Sequence, residues 1–353
     1  MLSNKVVDST KTFCYNEGKG SEFALKRITI KDVAREAGVS ITTVSHALSG
    51  QGVMKQETRD RVVEIATKMQ YMPDWNGRNL KASETGTVGF FASSIRGYYG
   101  ILVDVMYEEC RKNGYEMEVF ITDSGDSLLR ILLSRRVDGA VILHSGFLGR
   151  HEKILKDSEL PTVFLDREIQ TKYVSSVLFD SYQTGRMAAE YLFSLGHRRL
   201  MAIRGSDIFD GIERQRGFED YLREQGHPLE ADYLLNGDFD RWMAYGEMSR
   251  FLKKGLPLPD AIFAANDDSA FGCIKALSEA GYSVPADVSV LGCDDIELSQ
   301  WYVPALSTIC THMTDQGTTA MKELAGLMHG ERSGKLNRIK GQIVERASCR
   351  RAG

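Results

Sequence analysis

The spacing of apolar positions changes once along this chain. From Ile30 to Tyr71 they recur at helical intervals. Thr29 precedes Ile30-Lys31-Asp32, an N-cap with an acid at the third helical position, so a helix is predicted to start there. Val33, Ala34 and Ala37 share one face of it, and Gly38 ends it in a tight turn. Ser40 is a second N-cap, for Ile41–Leu48, whose Val44 and Leu48 lie four apart on an inward face. Gly50 and Gly52 break that helix. A third is predicted from about Glu57, with Val62, Ile65, Ala66 and Met69 at i, i+3, i+4 and i+7. Pro73 closes the unit, and residues 73–84 read as a polar connector of weak helical character.

From Thr87 the texture becomes strand–helix alternation. Apolar runs at 88–92, 117–121, 139–143, 162–165, 176–179, 200–203, 261–265 and 288–291 are separated by amphipathic segments of helix length. Continuous apolar strands of this kind are buried on both faces, as in parallel sheets with crossover helices. The predicted fold is α/β: a small N-terminal all-α domain followed by two doubly wound parallel-sheet lobes with a cleft between them. The expected boundaries are a tail (1–25), a helical domain (26–72), a linker (73–85), a two-lobed body (86–345) and a C-terminal tail (346–353). Within the body, the N-lobe takes about 86–180 plus 297–310, and the C-lobe about 181–296 plus 311–345.

Charge sharpens this division. The chain carries a formal charge of −4 over 353 residues. Residues 26–85 hold ten Lys/Arg against seven Asp/Glu, so a basic module leads an acidic body. Residues 1–25 have no charge bias and no periodicity, and Leu25 stands immediately before Lys26-Arg27, where a leucine codon could serve as the start; residues 1–24 are therefore expected either to lie outside the working protein or to form a mobile arm. No apolar run approaches the roughly 20 residues of a membrane span, and the first 25 residues lack a signal core, which points to the cytoplasm. Six cysteines (14, 110, 273, 293, 310 and 349) have no CxxC spacing, as expected of free thiols rather than disulfides or zinc. There is no GxSxG, HExxH, Walker loop or GxGxxG after the first strand, and the histidines lack metal-ligand spacing. The adjacent acids Asp267-Asp268 and Asp294-Asp295 point different ways. No enzyme, cofactor or metal is expected.

Two short helices joined by Ala37-Gly38-Val39-Ser40 have the form of a helix–turn–helix. The second would expose Ile41, Thr42, Ser45 and His46, whose hydroxyls and imidazole can reach phosphates and base edges. Here the chain resembles the LacI/GalR family of bacterial transcriptional repressors. ITIKDVAREAGVSITTVSHALSG (28–50), ETRDRVVEIATKMQYMPD (57–74) and GRNLKASET (77–85) follow that family's DNA-binding signature, and His46 after Thr42 and Thr43 is similar to the purine-repressor branch. LLSRRVDGAVI (132–142), FLDRE (164–168), LGHRRLMAI (195–203), ERQRGF (213–218), AIFAANDDSAFGCIKAL (261–277), VPADVSVLGCDDI (284–296) and PALSTI (304–309) continue the likeness through the body.

The resemblance implies a ligand-responsive repressor that binds operator DNA as a homodimer or tetramer. The expected DNA-facing residues are Thr29, Ser40, Ile41, Thr42, Thr43, Ser45, His46 and Ser49. It also implies a hinge helix in which Leu80, flanked by Arg78 and Lys81, wedges between base pairs in the minor groove. Asp74 and Gly77 replace the family's Asn and Ala, and Lys55 stands where relatives cap the third helix. The implied effector contacts are Tyr98, Tyr99, Asp166, Arg167, Arg214 (at the opening of a helix), Phe239, Asn266 and Asp294. These are aromatic faces and polar groups suited to a sugar, a sugar phosphate or a purine. Ser93–Gly97 and Thr122–Leu132 look shorter than in relatives, at the expected pocket mouth. A transport solute-binding protein or a sugar-modifying enzyme would share the lobes but lack residues 1–85.

Overall fold

The computed structural model describes residues 28–49, 53–71, 85–147 and 149–352, and the chain divides after Lys81 into two compact units. The first contains α1 (Ile30–Ala37), α2 (Ile41–Ser49) and α3 (Gln56–Lys68). The Asp32 carboxylate accepts from the Thr29 N–H at 3.0 Å and from its hydroxyl at 2.7 Å, which pins the start of α1. Gly38 turns the chain at φ 66°, and Ser40 Oγ accepts the Thr43 N–H at 3.0 Å to start α2. Val33, Val44 and Val62, one from each helix, are fully buried together, so the predicted apolar faces meet in one core. The Lys55 side chain leaves α3 uncapped, as its chemistry predicts.

The second unit holds two parallel sheets. β1 (Thr87–Ala92), β2 (Glu116–Ile121), β3 (Gly139–Leu143), β4 (Thr162–Phe164) and β5 (Val174–Phe179) alternate with α4 (Tyr98–Lys112), α5 (Gly125–Leu132) and α6 (Gly149–Asp157). β6 (Leu200–Arg204), β7 (Leu234–Asn236), β8 (Ala261–Ala264) and β9 (Ser289–Leu291) alternate with α7 (Ser181–Ser194), α8 (Phe209–Glu224), α9 (Arg241–Lys253) and α10 (Asp267–Glu279). A closing stretch adds α11 (Leu298–Trp301), β10 (Thr308–Cys310), α12 (Met313–Met328), β11 (Leu336–Ile339) and β12 (Gln342–Val344). The N-lobe sheet runs β11-β5-β4-β3-β1-β2 and the C-lobe sheet β7-β6-β8-β9, while β10 and β12 form a separate antiparallel ribbon. In the N-lobe, central Phe90 pairs with Val119 on one side and Val141 on the other.

The last fifty residues correct the expected lobe boundaries. Residues 297–310 belong with the C-lobe, because Leu306 and Ile309 are buried in its cores. Residues 313–339 belong with the N-lobe: Met313, Ala320, Met321, Leu324 and Leu327 pack against Val88, Phe90 and Val163, and β11 pairs with β5. The two returns are thus the reverse of the expectation. Residues 346–352 are not a tail either. The Ser348 side chain is fully buried and accepts the Ser307 N–H at 2.7 Å, its carbonyl accepts the Val290 N–H at 2.8 Å, and the Ala352 N–H reaches Leu195 O at 2.8 Å. β2 also departs from the two-faced burial expected of its apolar run, because it is the sheet edge and half of its positions stay open to water.

Candidate functional site

On the first unit, α2 turns Val44 and Ala47 inward and leaves Ile41, Thr42 and His46 exposed, with Thr43 and Ser45 half-buried. The Ser40 and Thr43 hydroxyls are 2.8 Å apart, so these two are engaged in capping the helix. Thr29 is exposed but its hydroxyl is committed to Asp32. The Ser49 side chain and the hinge residues Arg78, Leu80 and Lys81 lie outside the described residues. Apart from His46, α2 carries no cationic side chain. Its outer face is a set of short hydroxyls and one imidazole, a chemistry for base edges more than for phosphate charge.

On the second unit, the predicted effector residues lie at the carboxyl ends of strands from both sheets, where doubly wound sheets open their crevice. Tyr98 and Tyr99 begin α4 after β1, with ring centroids 6.2 Å apart and edge to face. The Tyr98 hydroxyl donates to Gln316 on α12. Asp166 follows β4, is buried, and accepts the His144 N–H at 3.0 Å. Across the cleft, Arg214 is buried in α8. Its position is the sixth of that helix, about a turn and a half in, rather than at the opening as expected. The guanidinium sits 5.6 Å from the ring centroids of both Phe179 and Phe239. It donates to the Ala265 carbonyl and, at 3.3 Å, to the Ser181 hydroxyl, while its buried Nε has no partner.

Helix packing explains how Arg214 gets there. A methyl group on Gly185 of α7 would come within 2.0 Å of Arg214 O, and one on Gly217 of α8 within 2.0 Å of Tyr182 O. Two glycines therefore let α7 and α8 touch backbone to backbone and bring the guanidinium to the strand ends.

Phe239 and Asp294 sit on turns of unusual backbone. Asp238 and Phe239 are both left-handed, at φ 52° and 55°, as are Asp294 and Asp295 at φ 128° and 60°. Strain of this kind in non-glycine residues persists only where surrounding structure holds it, and it concentrates at functional sites. Asn266 caps α10 by accepting the Ser269 N–H at 2.9 Å and donates to Phe239 O at 3.1 Å, so it supports the turn as well as facing the cleft.

The groups feel one another across the lobes. Burial pushes the Tyr98 phenol well above its usual range, with Asp210 and Asp294 adding to the shift and Arg214 opposing it. Burial likewise raises the Asp294 carboxyl well above normal and pushes that of Asp210 up, in both cases against the pull of Arg214. Asp210 was not anticipated. It lies four residues before Arg214 on the same face of α8 and accepts the Ser181 hydroxyl at 2.6 Å; the i, i+4 spacing was the available signal. Ser181 and Gln316 carried none. Arg167, in contrast, turns away from the role expected of it. Its five N–H donors go to both Asp166 oxygens, Glu152, His144 O and Phe147 O. Among the described residues no cluster of His, Cys, Asp and Glu could hold a metal, and no helix is long and apolar enough to cross a membrane.

Comparison with known proteins places both units. Residues 29–74 match the bacterial regulatory proteins of the lacI family, and residues 189–349 match the periplasmic binding protein-like domain. The HTH-type transcriptional repressor PurR of Actinobacillus pleuropneumoniae is 30% identical over 302 residues, covering 84% of this chain and 90% of that protein. A crystal structure of the lac repressor dimer bound to operator and the anti-inducer ONPF superposes with a TM-score of 0.74 at 26% identity, over 92% of this chain and 100% of that one. The transcriptional regulator CelR–cellobiose complex gives a TM-score of 0.68 at 25% identity, over 91% and 100%.

Proposed function

This chain belongs to the lacI family of bacterial regulatory proteins, and on that premise we propose how its residues divide the work of a ligand-responsive repressor. It is a transcriptional repressor rather than an enzyme, with a periplasmic-binding-protein-like effector domain. It acts in the cytoplasm as a homodimer on double-stranded operator DNA. Ile41, Thr42, Ser45 and His46 read base edges in the major groove, with Ser40 and Thr43 holding the helix and Thr29 and Ser49 beside the phosphates. Leu80, with Arg78 and Lys81, enters the minor groove and kinks the duplex.

The effector is a small metabolite of the sugar or purine kind, held by Tyr98, Tyr99, Asp166, Arg214, Phe239, Asn266 and Asp294. Arg167 holds Asp166 in place and does not touch the ligand. Binding shifts the lobes between two arrangements and changes operator affinity by the ligand's differential affinity for them. The observation that carries this reading is Arg214, a buried guanidinium clamped between two aromatic rings with three of its five N–H donors left over, on the cleft side of a domain joined to a helix–turn–helix.

The test is twofold. His46→Ala should lower affinity for a selected operator and relax preference at one base pair, by about 1–3 kcal/mol. Equal loss on scrambled DNA would make His46 a backbone contact. Arg214→Ala should abolish the effector response and leave operator binding near wild type; an intact response in that variant would remove Arg214 from the site.

A further inference from the structure

The chain enters the two-lobed body through residues 85–87, and one carboxylate holds them. Asp138, at the foot of β3, accepts two consecutive backbone N–H groups: that of Thr85 on Oδ1 at 2.7 Å and that of Gly86 on Oδ2 at 2.6 Å. Short bonds from backbone N–H groups to a carboxylate belong to the stronger class of hydrogen bond. The Asp138 N–H donates in turn to Thr87 O at 2.8 Å, and from the other side the Glu116 N–H donates to Gly86 O at 2.9 Å. Thr85 Oγ1 accepts the Thr87 N–H at 3.1 Å. Gly86 is left-handed at φ 70°, a bend that glycine makes without strain. The ladder of β1 begins only at Thr87, opposite Glu116, so Thr85 and Gly86 lie outside the sheet and the carboxylate fixes the approach to it.

Asp138 itself stands between two packed positions. Val137 is buried in the core that contains Phe91 and Ile142. Gly139 lies against α12, where a methyl group would come within 2.8 Å of Met328 Sδ and 2.9 Å of Leu324 Cδ1. Nearer its start, the same helix carries the fully buried Gln316, which accepts the Tyr98 hydroxyl at the cleft. One helix therefore runs from the cleft to the footing of the carboxylate. We propose that Asp138 is a positioning residue for operator binding, its carboxylate fixing the direction in which the chain leaves the effector domain for the helix–turn–helix. A dimer must seat two such units on paired half-sites, and backbone freedom released at residues 85 and 86 has to be given up again on binding. The proposal concerns the exit of the chain and does not depend on Leu80 being the wedge.

Two variants of the full-length protein test it. Asp138→Ala removes both acceptors, and Asp138→Asn replaces one of them with an amide donor. Hydrogen exchange at the amides of residues 85 and 86 should quicken by about tenfold or more in both variants. Anisotropy is then measured well below each thermal midpoint, on a duplex selected with the wild-type protein and on a scrambled duplex of equal length. Affinity for the selected duplex should fall by about tenfold or more, which is about 1.4 kcal/mol, and affinity for the scrambled one should stay within about twofold. A residue that only stabilised the body would lower the thermal midpoint and leave the ratio of the two affinities at its wild-type value. That result would overturn the proposal, as would wild-type exchange at residues 85 and 86 in both variants. If Asp138→Ala fails to fold, Asp138→Asn carries both readouts.

Discussion

Asp294 shows how a single buried side chain in the proposed effector site weighs on stability. Burial holds its carboxyl well above the normal value, and no cation is close enough to compensate fully. A carboxyl whose folded-state pKa is raised contributes most below the unfolded value near 4 and loses that contribution as the pH rises through the folded value. At neutral pH this raised carboxyl is therefore a burden on the ligand-free fold. Asp294→Asn is expected to raise the thermal midpoint of the ligand-free protein by roughly 1–3 °C, about 1 kcal/mol. The gain should shrink as the pH falls through the folded value towards the unfolded value near 4, below which both states are protonated. Melts of the two proteins at pH 8 and pH 4.5 would check this, and an equal midpoint at pH 8 would show that local polar contacts already offset the charge. Asp267 makes the contrast: it is also buried, but it accepts from the Ile296 N–H at 3.0 Å and the Ser299 hydroxyl at 2.6 Å, and from the Thr308 hydroxyl, so it joins three segments instead of waiting for a ligand.

Among the elements, the α7–α8 pair decides whether the cleft is assembled. Their close approach depends on Gly185 and Gly217, since any Cβ there would collide with the opposing backbone. Gly185→Ala should force α8 outward and displace Arg214. Overpacking of this kind typically costs about 1–3 kcal/mol. The expected outcome is a lower thermal midpoint together with loss of effector binding, while operator binding is retained at permissive temperature. Titration of the variant with the wild-type effector gives the readout, and unaltered affinity would mean that α8 can slide without moving its arginine. The helical unit was readable at this scale from the chain alone. Its caps at Thr29 and Ser40 and its glycine turn at Gly38 are short-range devices, satisfied within four residues, and the structure keeps all three.

For the whole molecule, the C-lobe surface carries an apolar strip on one short segment: Leu298 is 39% exposed, Trp301 72% and Val303 88%. Large exposed apolar groups in a row are characteristic of protein–protein contact, and the lac repressor neighbour is a dimer. Trp301→Asp is expected to weaken self-association by at least about thirtyfold, the effect of losing an anchor worth roughly 2 kcal/mol. Operator affinity should fall with it, because two helix–turn–helix units must bind paired half-sites. Sedimentation velocity and operator binding measured on the same preparation test both, and a dimer of wild-type strength would move the interface elsewhere.

What the sequence determined by itself was whatever depends on neighbours along the chain. The change of apolar period from helical to strand-like, the capping residues, and the placing of Tyr98, Asp166, Asn266 and Asp294 just beyond strands all follow from local steric and hydrogen-bonding rules, whereas the short strand before Phe239 was not legible. Tertiary structure alone decided which lobe each part of the last fifty residues joins. The apolar faces of 297–310 and 313–328 suit either core, and only contacts distant in sequence assign them: Leu306 and Ile309 are buried in the C-lobe, while α12 packs into the N-lobe core and β11 pairs with β5, more than 150 residues away. It decided also that Arg167 spends all five N–H donors on protein oxygens while Arg214 keeps three free. Both are arginines near strand ends, and the difference lies in how many carbonyls and carboxylates the fold brings within 3 Å of each. Asp210, Ser181 and Gln316 entered the site for the same reason: a hydrogen bond is settled by distance in space, which residue order does not record.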